Sequence, residues 1–158
     1  MNVPQFGEPQ PGRDYPDRPA AFAVVSRGDR IAVVRVDLAG VGSRLDLPGG
    51  GVDPDETSGQ AAARECGEEA GLRIAVEEEP FTCADHFFVN QDGETNNTRG
   101  QFFAARLIGE AAELKTEDDH HLEWMAPQDA LLALSRESHA WALAAWLRRG
   151  FARRPANG

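Results

Sequence analysis

The sequence predicts an α/β fold, a mixed β-sheet held between helical layers, and three observations predict it. Short runs rich in β-branched and aromatic residues recur along the chain. Hairpin-type turns join several of them, and three segments carry the periodicity and end signals of helices. Strands interleaved with helices in this way bury both faces of one sheet.

Residues 1–19 hold Pro4, Pro9, Pro11, Pro16 and Pro19 and almost no apolar pattern, which predicts an extended or disordered, flexible arm. One domain is expected over 20–152, with a tail over 153–158. Ala20 to Ser26 and Arg30 to Val36 flank Arg27-Gly28-Asp29 and read as a hairpin. A small-residue loop from Asp37 to Arg44 and a short extended piece, Leu45 to Pro48, lead into Gly49-Gly50-Gly51. Thr57 with Gln60 three residues later fits a capping box, and Gly71 fits the left-handed residue that stops a helix. Between them Gly59, Ala63, Cys66 and Ala70 share one side, as small residues do against a sheet. Gly67 costs about 1 kcal/mol relative to alanine with no reason visible in the sequence.

Leu72 to Val76 and Phe81 to Val89 are expected strands. Asn90 to Thr98 is a polar loop, and Gly100 to Leu107 the returning strand. The charged loop Glu117 to His121 precedes a short strand, Leu122 to Met125. Pro127 opens a helix to about Leu134, and a last helix from Glu137 to Arg149 sets Ala140, Leu143, Leu147 and Phe151 on one stripe.

A chain of 158 residues with 41% apolar and 27% charged content suits one globular domain with a real core. No apolar run reaches the length of a membrane span, and the N-terminus lacks a signal-peptide pattern, so a cytoplasmic address is expected. Cys66 and Cys83 have no metal-type or redox-type spacing and are expected as free thiols. A net charge of −10 argues against DNA, long RNA and anionic lipid as partners. A phosphate-bearing ligand would need a cation between it and the protein. A homodimer is left open.

Glu65, Glu68 and Glu69 stand three and four residues apart, which puts three carboxylates on one helix face. As a charge run alone they read most simply as a solvated face beside Arg64. As ligands they would suit a hard cation such as Mg²⁺ or Mn²⁺, which binds a few carboxylates together with substrate phosphates. Arg64 has two candidate partners, Glu68 one turn on and Glu56 in the preceding loop.

The register of these residues decides between the readings. Gly50, Glu56, Arg64, Glu65, Cys66, Glu68, Glu69, Gly71 and Leu72 resemble the Nudix box, with cysteine where an aliphatic is usual. Seven fixed positions at roughly 6% background each put a chance match on the order of one in a million. The resemblance implies a Nudix-type α/β/α sandwich and hydrolysis of a nucleoside diphosphate linked to another group, with Mg²⁺ or Mn²⁺. It implies that Glu65, Glu68 and Glu69 hold metal, and that Gly50 shapes the loop. It also implies that Glu56 supports Arg64 or joins the metal shell. The general base stays open among the box and the later acids Asp118, Asp119 and Glu123. Glu123-Trp124-Met125 is similar to a strand of enzymes that cleanse 8-oxoguanine nucleotides, which implies an extra acidic ligand at Asp118. The segment Ser135 to Trp141 lacks the asparagine that helps those enzymes read the base.

Other residues carry weaker signals. The four histidines (His86, His120, His121, His139) are candidate bases but read more simply as surface or structural. Phe87, Phe88, Phe102 and Phe103 could stack a base, and Trp141 and Trp146 could line a pocket, though core packing is the simpler role for all six. Arg99 and Lys115 are candidate phosphate contacts. The rival functional class is a non-catalytic module that binds a nucleotide or a protein partner through the same fold.

Overall fold

The computed structural model describes residues 2–152. The described residues fold as nine strands and three α-helices. They run β1 (Gln5–Phe6), β2 (Asp17–Arg27), β3 (Arg30–Leu38), β4 (Gly42–Asp46), β5 (Gly49–Gly51), α1 (Ser58–Ala70) and β6 (Leu72–Val76). They continue with β7 (Thr82–Val89), β8 (Thr95–Glu110), β9 (His120–Met125), α2 (Pro127–Ala133) and α3 (Glu137–Ala152). One mixed sheet contains every strand, in the order β1-β7-β8-β2-β3-β4, with β5 on β2, β6 on β8 and β9 on β3. The α/β architecture expected from the sequence is the one observed.

Alternation along β2 divides the core. Ala21, Ala23 and Val25 face α1 and pack with Ala61, Ala62, Cys66, Ala70 and Phe103. Ala20, Phe22 and Val24 face the other way, onto α2 and α3, with Ala130, Leu134, Ala142 and Leu143. Period-two alternation thus gives the sheet two buried faces and makes the molecule a sandwich. Phe102 and Phe103 are core residues on opposite faces, as their simpler reading expects. The last helix buries Ala142 and Leu143 and leans Ala140, Trp146 and Leu147 on the same cluster. The side chain of Phe151 and the tail expected over 153–158 lie outside the described residues.

Helix α1 forms for the local reasons its sequence gives. Thr57 and Gln60 make the reciprocal capping box, and Gly71, at φ 65°, closes the C-terminus with its N–H on the Gly67 carbonyl. The structure also explains Gly67. The 3₁₀ turn Ala112–Leu114 packs onto it, and a Cβ there would lie 3.2 Å from Leu114.

The N-terminal segment differs from the flexible arm expected. Gln5 and Phe6 run parallel to β7, and the Gln5 side chain donates to Asn97 Oδ1 at 3.0 Å. Tyr15 packs edge-on against Phe87 at 5.3 Å, and Asn97 N–H donates to the Pro16 carbonyl. β2 begins three residues earlier than expected because Asp17, Arg18 and Pro19 pair with residues 97–99 of β8. Between these two short pairings the segment has no strand or helix, and isolated polar and aromatic side chains help dock it.

Candidate active site

A cavity of about 300 Å³ opens where β2, β4, β5, the start of β9 and α1 meet. Two opposed sets of charges line it. Glu65, Glu69, Glu117 and Asp119 supply carboxylates, and Arg18, Arg44 and Arg136 supply guanidiniums, with Phe88 beside them.

Arg64 ties the acidic set together. Its Nε and Nη2 grip both oxygens of Glu56, at 3.1 and 2.7 Å, and Nη2 also donates to the Gly51 carbonyl at 3.0 Å. Nη1 reaches Glu65 and Glu68 at 3.0 and 3.1 Å. Both partners foreseen for Arg64 are therefore used at once. The guanidinium holds the Glu56 carboxyl below the usual range, assisted by the Asp53 N–H. Glu56 anchors the loop through Arg64 and lies outside the cavity lining.

Gly50 shapes the loop by close approach. A Cβ there would stand 2.7 Å from the Glu65 carboxyl carbon, so only glycine lets β5 press against that side chain. Of the three glutamates on α1 in the box, Glu65 and Glu69 line the cavity, and Glu68 pairs with Arg64 outside the lining. Glu69 is 8% exposed, accepts from Gly49 N–H at 2.8 Å and lies 3.0 Å from His120 Nε2. His120 Nδ1 is 2.7 Å from Asp119, and the two carboxylates raise the imidazole to about 9, a cation at neutral pH.

The donor set fits a hard divalent cation. Burial, then repulsion from Glu69, pushes the Glu65 carboxyl up, and burial raises Glu69 despite His120 and Gly49. A cation among these oxygens would reverse both penalties. Glu117, Asp119 and His120 also offer ligand atoms within 4.8 Å of one another, a group the box alone does not reveal.

The later acids separate by position. Asp118 is exposed and outside the cavity lining, whereas its neighbours Glu117 and Asp119 line it. Glu123 points elsewhere, paired with Arg35 at 2.9 Å. Arg99 is held by Asp85 and Asp17, and Lys115 by the Glu117 carbonyl, so neither lines the cavity. Trp141 packs near Phe6, away from the cavity. Of the histidines, only His120 lines it. His139 is buried, accepts from Leu47 N–H at 3.1 Å and packs on Phe22 and Phe102, and burial drives its pKa down to about 3. Cys66 fills the sheet side of α1 as a small hydrophobe, and burial pushes its thiol up to about 12. Cys83 is likewise a free thiol.

Sequence reasoning missed Glu117, Arg18, Arg44, Asp46 and Arg136. Asp46 had a visible signal, a lone acid between Leu45 and Leu47 in an apolar strand end. The arginines had none, because they come together from β2, β4 and the turn just ahead of α3.

Comparison with known proteins bears on the family and the fold. A family model described as the NUDIX domain matches residues 16–147. No match was found among curated proteins. Among solved structures, a NUDIX hydrolase from Nitrosomonas europaea superposes with a TM-score of 0.72 at 17% identity, covering 89% of this chain and 93% of that one. A MutT NUDIX hydrolase from Burkholderia pseudomallei is similar at 28% identity and TM-score 0.63, covering 82% and 97%. An ADP-ribose pyrophosphatase from Streptococcus suis is similar at 20% identity and TM-score 0.62, covering 87% and 94%.

Proposed function

From the premise that the chain belongs to the NUDIX family of hydrolases, we propose that it cuts a phosphoanhydride bond in a nucleoside diphosphate linked to another group, using Mg²⁺ or Mn²⁺. The observation that carries this reading is the clamp on Glu65 and Glu69. Gly50, Arg64 and Gly49 N–H turn a half-buried carboxylate, Glu65, and a buried one, Glu69, into one cavity wall that lacks enough positive charge. Similarity to an ADP-ribose pyrophosphatase supports a small nucleotide derivative as substrate class.

Glu65 and Glu69 would hold the cation, with Glu117 or Asp119 completing the oxygen set. Bound there, a divalent cation screens phosphate charge and acidifies a water. The protein's own work is positioning. Arg64 fixes Glu65 and Glu68 and locks the β5 loop to the helix through Glu56 and the Gly51 carbonyl. Asp119, steadied by His120, is the acid outside α1 placed to accept a proton, and Glu117 is its alternative. Asp118, named from the sequence as an extra ligand, is assigned no contact with the substrate.

The test is a screen of nucleotide substrates with Mg²⁺ and with Mn²⁺, reading phosphate, pyrophosphate and nucleoside monophosphate release. Turnover that needs the metal and disappears in Glu69→Gln supports the reading. Ligand uptake with no product from any nucleotide would favour the non-catalytic binding module.

A further inference from the structure

The acidic residues are one charged part of the cavity lining. Three arginines form another, in a chain whose net charge is −10. Arg136, just ahead of α3, is 12% exposed at its side chain and stacks over Phe88 at 3.9 Å. Its buried Nε has no hydrogen-bond partner among the described residues, though Asp46 Oδ1 lies 3.4 Å away. Arg44 spends its Nε on Asp46 at 2.7 Å and lies 5.3 Å from the Phe88 ring. Arg18, at the start of β2, has no carboxylate within ion-pair distance among the described residues and lies across Gly51. A Cβ on Gly51 would sit 2.8 Å from Arg18 Nη2. One residue beyond the glycine that admits Glu65, a second glycine admits a cation.

One carboxylate, Asp46, therefore answers two guanidiniums, and among the described residues Arg18 has none. Burying Arg136 costs solvation that a single acid shared with Arg44 does not return. Guanidiniums pair with oxyanions through parallel N–H donors, and all three arginines line the same cavity as the acids. We propose that Arg18, Arg44 and Arg136 form an oxyanion subsite that selects substrates carrying a phosphate or carboxylate beyond the phosphoanhydride to be cut. The selection rests on the hydrolase reading above. The subsite itself does not, because it can bind an oxyanion without turnover.

Two measurements test it. In the first, inorganic pyrophosphate is titrated calorimetrically into the metal-free protein in EDTA. The wild type binds, and Arg18→Gln and Arg136→Gln weaken binding by about tenfold each. Arg18 is exposed, so its variant keeps the test valid if Arg136→Gln fails to fold. No binding by the wild type, or equal affinity in folded variants, overturns the subsite.

The second measurement compares kcat/KM with Mg²⁺ for matched substrates. UDP-glucuronate against UDP-glucose probes a carboxylate, and a nucleoside triphosphate against its diphosphate probes a phosphate. At least one anionic member is preferred by about tenfold, and Arg18→Gln brings that ratio near one. Equal rates within both pairs, or a ratio unmoved by Arg18→Gln, refutes the selection. If no nucleotide is hydrolysed, the hydrolase reading and the selection resting on it both fail, and the titration still decides the subsite.

Discussion

Two carboxylates in one cavity wall meet opposite fates. Glu69 and Asp46 are buried alike, at 8% and 7% exposed, and burial is the largest influence on each. For Glu69 burial prevails, and its carboxyl stays above the ordinary range even with His120 beside it. For Asp46 burial is outweighed by Arg136 and Arg44 among its neighbours, and the carboxyl falls below that range. The difference teaches which acid is finished and which is waiting. Asp46 already has its cations from the chain, so its job is to hold the arginines. Glu69 lacks charge that the chain does not supply.

The largest effect expected from this contrast is on turnover. Glu69→Gln lowers kcat on the order of 10³-fold while leaving the urea midpoint within error of the wild type, because the amide still accepts from Gly49 N–H. Steady-state kinetics beside an unfolding curve checks both halves, and undiminished turnover breaks the contrast at the Glu69 end. Asp46→Asn inverts the pattern. It strands Arg136 in a buried site, so stability drops by about 3 kcal/mol or more. An unfolding midpoint equal to that of the wild type would show that Asp46 is not the arginines' counter-charge.

A smaller effect separates adjacent loop acids. Asp119→Asn slows turnover by about tenfold, and Asp118→Asn changes it less than twofold, since only Asp119 lines the cavity. The reverse order would return Asp118 to the site. The smallest effect is in acid and belongs to the Asp46 side, where His139 packs. Its folded pKa of about 3 lies below the unfolded value of 6.5, so the unfolded state binds the extra proton between them. Stability from this group is complete above about pH 6.5 and is lost progressively as pH falls toward 3. In His139→Gln the slope of unfolding free energy against pH over 4–6 is shallower by up to one proton, by urea melts.

How much of this was legible follows the range of each interaction. Helix α1 was readable to its caps because Thr57, Gln60 and Gly71 act on their own neighbours. The box placed Gly50, Glu56, Arg64, Glu65 and Glu69 for the same reason, all within twenty residues. Arg18 was illegible because its place depends on β2 pairing with β5, where Ala20 meets Gly51. Arg136 and Arg44 meet Phe88 only after three separate segments have folded together. His120 read as a surface or structural histidine because nothing near it in sequence announces Glu69, 51 positions earlier. The proline-rich start showed the absence of a regular element but not its docking, since Gln5 finds Asn97 across most of the chain.

The parallel pairing of β2 with β8 has a consequence for how the molecule is made. Asp17 to Ser26 lie in register with Asn97 to Arg106, so the central ladder joins segments about eighty residues apart. During synthesis the N-terminal strands leave the ribosome well before the strand that will cover their edge. Pairing so distant in sequence closes a large loop before any contact rewards it, which slows folding relative to helical domains of this size. Helix α1 can form early on its own caps, but the cavity it faces exists only after β8 arrives.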